Sequence, residues 1–283
     1  MKNIINKSSV LNEILNKKIL SPADVVIGRK SFISNLEKIE IDITFNCNLK
    51  CKCCNRSCGR APSEERMSLD DIQNFINDSI VNNRKYKLIS ILGGEPTLHP
   101  DFEEIIRIIQ NDYVNRFETN TIIQVISNGF IEESRKLCDK VENENKNVCI
   151  DRESYKKDNR IDYFTPFCDA PIDDDKFKSA DFSKACWVSE TCGIGLNKNG
   201  YYACSICGGI DRVLKGDGGA KTILELTLEE QRIQFQKFCS LCGNFKYYSS
   251  NSGDFLFRSE KAPFVEKISP SWEKIYREYN SGK

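Results

Sequence analysis

Apolar and charged residues alternate over Glu40-Ile-Asp-Ile-Thr-Phe45, the period of a strand. A helical period follows: Ser68-Leu-Asp-Asp71 marks a helix start, and Leu69, Ile72, Phe75, Ile76 and Ile80 share one face. The two periods then repeat. Lys87-Leu-Ile-Ser-Ile-Leu92 predicts a buried strand ending in Gly93-Gly94, and His99-Pro100-Asp101 opens a helix with Phe102, Ile105, Ile106 and Ile109 on its apolar face. Thr121-Ile-Ile-Gln-Val-Ile126 is a third strand, ending at Ser127-Asn128-Gly129; Glu132 to Val141 predicts a helix and Asn147-Val-Cys-Ile150 a short fourth strand. Strands alternating with helices predict an α/β fold of βα units on a parallel sheet. Ligands of such sheets gather at the carboxyl ends of the strands.

Outside that repeat the texture differs. Residues 1–36 are polar, with an amphipathic stretch near Val10–Ile19 that predicts a leading helix. From about Cys186, Gly193-Ile-Gly-Leu196, Asn199-Gly200-Tyr201-Tyr202 and Gly208-Gly209 predict short strands and a hairpin among cysteines. The tail after Ser249 is loop-like until a short helix from Ser271 to Tyr279. Four stretches result: a helical segment (1–36), an α/β core (37–180), a cysteine-rich unit (181–250) and a tail with a helix (251–283).

Composition narrows the chemistry. The 283 residues carry 41 lysines and arginines against 41 aspartates and glutamates, so no net field draws the chain to nucleic acid or anionic lipid. No apolar run reaches the roughly 18 residues of a membrane span, and the N-terminus has neither an export-type apolar core nor a cleavage site. A cytoplasmic protein is expected. Fourteen cysteines in such a chain point to metal ligation rather than disulfides. With His99 as the sole histidine, a two- or three-histidine metal site is excluded, and thiolate sulfur must supply most ligands.

The segment Cys47-Asn-Leu-Lys-Cys51-Lys-Cys-Cys54 supplies thiolates in a Cys-x3-Cys-x2-Cys pattern. Three so placed suit one corner of a cubane cluster and leave its fourth iron open; a zinc site recruiting Cys53 or Cys58 is the competing reading. Gly93-Gly94-Glu95-Pro96 puts two residues without side chains at a strand end, where backbone can approach a ligand closely or simply turn. Ser127-Asn128-Gly129 offers hydroxyl and amide groups suited to ribose, or an ordinary turn.

In this order and on successive strands, these features resemble the radical S-adenosylmethionine (SAM) superfamily over roughly residues 38–180. The resemblance implies a partial (β/α)6 TIM barrel, open on one side for substrate. It implies that Cys47, Cys51 and Cys54 ligate a [4Fe–4S] cluster, that Gly93, Gly94 and Glu95, with Pro96 following, cradle the amino group of SAM, and that Ser127 and Asn128 lie near its ribose. Phe45, Asn48 and Leu49 fall where the family shields cluster or adenine, and Cys149-Ile150-Asp151 is a further position for adenosine contacts. Cleavage of SAM in this family yields a 5′-deoxyadenosyl radical that abstracts a substrate hydrogen. A reductant such as flavodoxin or ferredoxin is the implied partner.

Six further cysteines, at 186, 192, 204, 207, 239 and 242, crowd the cysteine-rich unit. Cys204-x2-Cys207 with Cys239-x2-Cys242 would make a zinc ribbon. Alternatively Cys186, Cys204, Cys239 and Cys242 resemble the ligand set of a twitch domain, the shortened SPASM extension, holding an auxiliary [4Fe–4S] cluster; Cys192 and Cys207 rival the first two positions. Arg152, Glu153, Tyr155, Asp169, Asp173, Asp211 and Arg212 are polar groups available to a substrate or to turns. Three functions follow: radical oxidation of a small polar molecule such as a sugar or aminocyclitol, modification of a ribosomally made peptide, or electron carriage without catalysis. The second and third strand-end motifs disfavour the last, because an electron carrier needs no SAM cradle.

Overall fold

A computed structural model describes residues 31–51, 54–156, 166–246 and 268–282. The predicted leading helix, Cys53, Phe164 and the loop-like tail to residue 267 lie outside them. The four strands of the repeat read from the sequence belong to a six-stranded sheet. It comprises β1 (Lys38–Thr44), β2 (Leu88–Gly93), β3 (Ile122–Val125), β4 (Val148–Ile150), β5 (Ile194–Asn197) and β6 (Gly200–Tyr202). Their order is β4-β3-β2-β1-β5-β6, with β1 to β5 parallel and β6 antiparallel to β5. This mixed α/β architecture, with its parallel sheet, is that of a partial (β/α) barrel core.

Helices α1 (Leu69–Val81), α2 (Phe102–Ile108) and α3 (Glu132–Glu144) connect the first four strands. Ser68 begins α1 with a capping box: its hydroxyl accepts from the Asp71 N–H and the Asp71 carboxylate accepts from the Ser68 N–H. After α2 the chain widens into a π-helical turn, Ile109–Val114, which buries Tyr113 so that its hydroxyl donates to Arg84 O and accepts from Tyr86 N–H. Ile39, Ile41, Ile43, Ile89, Ile91 and Ile123 fill the main core against Phe75, Phe102 and Ile106.

The cysteine-rich stretch is continuous with this sheet. Its strand β5 pairs with β1 through Ile39–Ile194 and Ile41–Leu196, so β1 lies inside the sheet with neighbours on both sides. Adjacent residues of β6 point to opposite faces. Tyr201 therefore joins the main core, and Tyr202 joins a second core containing Phe167, Phe182, Phe238, Phe245 and Trp272. That second core packs under α4 (Trp187–Thr191), α5 (Ser205–Leu214), α6 (Leu228–Phe238) and α7 (Pro270–Ser281). No helix among the described residues is long and apolar enough to cross a membrane.

The terminal helix α7 closes the second core over the loop that follows the first cysteines. Trp272, fully buried, donates from Nε1 to Leu241 O at 2.8 Å and stacks on Tyr276. The Tyr276 hydroxyl donates to Phe167 O and lies 2.6 Å from Ser57 Oγ, while Tyr279 donates to Pro62 O. Trp272→Ala should lower unfolding stability by about 3–5 kcal/mol, read as a shifted denaturant midpoint.

Candidate cluster and SAM site

Strand order delivers three sequence motifs to one end of the sheet. Phe45 and Cys47 follow β1, Gly93 and Gly94 end β2, and Ser127 and Asn128 follow β3. The two glycines let β2 close onto the chain leaving β1: a Cβ on Gly93 would lie 2.1 Å from Thr44 O, and one on Gly94 2.2 Å from Asn46 O. The neighbour they admit here is thus backbone. Gly94 N–H donates to Thr44 O and Glu95 N–H to Asn46 O, which fixes where the cysteine loop starts.

Glu95 is wholly buried and knits the strand ends together. Its Oε1 accepts from Thr97 N–H, Thr97 Oγ1 and Ser127 Oγ at 3.1, 2.6 and 2.8 Å; its Oε2 accepts from Asn128 N–H at 2.7 Å. The Ser127 hydroxyl is further occupied as acceptor for Gly129 N–H, and Pro96 is buried in the short turn Pro96–Leu98. Asn128 then reaches across to the cysteine loop: its Nδ2 donates to Asn48 Oδ1 at 2.8 Å and lies 3.9 Å from Cys47 Sγ. Three motifs separated by eighty residues thereby form one hydrogen-bonded unit.

Within the loop, Leu49 N–H donates to Cys47 Sγ at 3.4 Å and Arg56 N–H to Cys54 Sγ at 3.5 Å, contacts that suit thiolate sulfur. Burial pushes the Cys47 thiol up to about 12, whereas a hydrogen bond from Cys58 holds Cys54 down to about 6. Cys58 is accordingly a buried companion of Cys54. The donors here are sulfur. His99 is committed elsewhere, its Nε2 bonded to Met67 O and its Nδ1 accepting from Asp101 N–H, which fixes a neutral ring. An all-cysteine loop, with the sulfurs of Cys47 and Cys54 accepting backbone hydrogen bonds, fits an iron–sulfur cluster, whose binding would take the thiols as thiolates.

Beneath the loop lies a charge network that periodicity alone did not flag. Arg56 is fully buried, and its Nε donates to both Asp42 oxygens at 2.7 and 2.9 Å while Nη2 donates to Glu40 Oε2 at 2.9 Å. Burial pushes Asp42 up to about 6 against the pull of that guanidinium, and the two acids hold Arg56 firmly protonated. Arg212, also buried, donates to Ala61 O and Arg56 O, and its guanidinium sits 4.4 Å from the Phe45 ring centroid. Glu40 and Asp42 two residues apart on a strand share a face; that spacing, with an arginine just past the cysteines, was the available signal.

In the second core, Cys186, Cys204, Cys207, Cys239 and Cys242 line one cavity walled by Val188, Ile206, Ile210 and Phe235. Cys207 thus joins the four expected residues, and Cys192 does not line it. Burial, with the neighbouring thiols of residues 239, 242 and 204, pushes Cys186 up; a hydrogen bond from Cys207 draws Cys204 down. Among the described residues no three cysteine, histidine or acidic side chains converge on a point as the ligands of a single ion do. A cubane takes thiolates at separate corners and needs no such point.

Four of the other polar candidates are engaged within the fold, whereas the buried Tyr155 hydroxyl has no hydrogen-bond partner among the described residues. Arg152 pairs with Asp139 and Glu142, and Asp169 with Lys246. Asp173 accepts from Ser271 at the start of α7, and Asp211 accepts from Tyr202 Oη and Gly218 N–H.

The sequence profile of the Radical SAM superfamily matches residues 41–171. A protein of Methanococcus maripaludis named "Probable GTP 3',8-cyclase" is 33% identical over 86 residues, 30% of this chain and 28% of that one. A Methanocaldococcus jannaschii protein named as a glycyl-radical enzyme activating enzyme is 33% identical over 108 residues, 36% of this chain and 40% of the other. The chain therefore spans well under half the length of these relatives. The crystal structure of BtrN in complex with AdoMet and 2-DOIA aligns over 79% of this chain and 98% of that one, with 12% identity and a TM-score of 0.45. Residues 41–171 thus carry the signature of the radical SAM superfamily. That signature implies a [4Fe–4S] cluster and SAM as cofactors.

Glu95→Gln sets an amide N–H against a donor in the strand-end network. It should cost about 1–3 kcal/mol in urea unfolding, and the affinity of the cluster-loaded protein for SAM should fall with it.

Proposed function

We propose that the chain is a radical SAM enzyme: Cys47, Cys51 and Cys54 hold a [4Fe–4S] cluster, and the radical made there abstracts hydrogen from a small polar substrate. One observation carries this reading: Asn128 bonds to Asn48 beside Cys47 while its backbone is pinned by Glu95, which joins the cysteine loop to both strand-end motifs. When bound, the cluster supplies the electron that splits the sulfonium bond of SAM and releases the 5′-deoxyadenosyl radical.

The residues of this chain do the rest by placement. Asn128 and Leu49 N–H steady the Cys47 sulfur, and Arg56 N–H with the Cys58 thiol steadies that of Cys54. Glu95 orders the edge against which the methionine portion of SAM would lie, and buried Phe45 closes the floor below the loop. A small polar substrate is supported by the relatives named for a cyclase of GTP. The proposed second cluster, on Cys186, Cys204, Cys239 and Cys242, is supported by their shared apolar cavity and would accept an electron from the substrate radical, making the reaction an oxidation.

Reduced, reconstituted protein incubated with SAM should release 5′-deoxyadenosine, and Cys51→Ala should abolish release while leaving the fold intact by circular dichroism. Absence of release from fully loaded wild-type protein would refute the reading.

A further inference from the structure

The first cysteine loop follows β1, and the second cysteine unit contains β5, the neighbour of β1 in the sheet. Here a continuous run of polar contacts leads from one to the other. Arg56 N–H donates to Cys54 Sγ at 3.5 Å. The guanidinium of the same residue donates to Glu40 Oε2 at 2.9 Å, and that same carboxylate oxygen accepts from the Ser205 hydroxyl. Ser205 directly follows Cys204, at the start of α5. Arg56 and Ser205 are both buried, and the side chain of Glu40 is 13% exposed, so water competes little for these bonds. Packing makes the junction stiff. A Cβ on Gly195 of β5 would lie 2.4 Å from the Ser205 Cα, so Ser205 is seated directly on the strand that pairs with β1.

A bridge serving only to neutralise Arg56 would need no serine, since Asp42 already accepts two bonds from it. The serine contact ties the acid to the second cysteine unit specifically. From the second unit the restraint continues through Arg212 of α5, which donates to Arg56 O and Ala61 O on the far side of the same loop. The segment after Cys54 is thus gripped at its guanidinium and at two of its carbonyls, with Ser205 and Arg212 on a single helix.

We infer that Ser205, Glu40 and Arg56 form a positioning bridge by which the second cysteine unit sets the geometry of the first cluster loop. The inference rests on the radical SAM reading for its spectroscopic consequence, and on geometry alone for its structural one. Ser205→Ala removes a single hydroxyl, far from the first cluster in sequence and without altering charge. The amides of Ser57, Arg60 and Ala61, which donate to Cys54 O and Ser57 O, report on the loop.

The experiment uses the full chain loaded with iron and sulfide. In Ser205→Ala, hydrogen exchange at those three amides should be roughly five- to tenfold faster, with β2 and β3 unchanged. The SAM-dependent difference in the electron paramagnetic resonance spectrum, which isolates the cluster with an open iron, should change shape at wild-type iron content. Arg56→Lys, which keeps the charge but loses the fork, should shift both readouts in the same direction. Wild-type exchange and an unaltered difference spectrum in both variants would overturn the bridge, as would faster exchange spread evenly through the sheet. If the wild-type protein shows no SAM-dependent spectrum at all, the functional reading fails, and the exchange at the three amides still decides the bridge.

Discussion

A guanidinium buried between two strand carboxylates is the constraint on which the rest of the structure depends. Arg56 cannot be left unpaired in that interior, and neither can Asp42 or Glu40; removing one partner of a buried pair costs about 3–5 kcal/mol. The three charges therefore fix the loop after Cys54 to the central strand β1. Because β1 pairs with β2 on one side and β5 on the other, the same strand joins the strand-end motifs to the cysteine-rich unit. The position of the loop follows from the position of the strand.

A division of labour follows at the carboxyl ends of the strands. Glu95 and Asn128 order the mouth of the sheet, and the cysteine loop lies over it, held from above by Asn128 and from below by Arg56. The glycines at the end of β2 contribute by admitting the backbone of residues 44 and 46 at a distance no side chain would allow. Helix α7 then covers the loop through Tyr276 and Tyr279. Packing and polar contacts converge on one short segment, as a site that must hold a reactive group at fixed geometry requires.

Much of this was legible in the sequence because it is local. The period-two and helical runs gave β1 to β4 and α1 to α3, and Ser68 with Asp71 announced the start of α1. The cysteine spacing and the strand-end motifs were readable for the same reason. What escaped was long-range. Nothing in Gly193-Ile-Gly-Leu196 says that it will pair with β1. Arg56 carries no local mark of its role, since its partners lie 14 and 16 residues earlier. Asp173 and Asp211 read equally well as substrate contacts or caps, and only the fold brings Ser271 and Tyr202 to them.

The central claim is that one folded body carries two thiolate sites of the same chemistry, one for SAM and one for electrons. Metal analysis of anaerobically purified, reconstituted chain tests it most directly. The account predicts about eight irons per chain with matching sulfide and no zinc. Four irons accompanied by one tightly held zinc would contradict it.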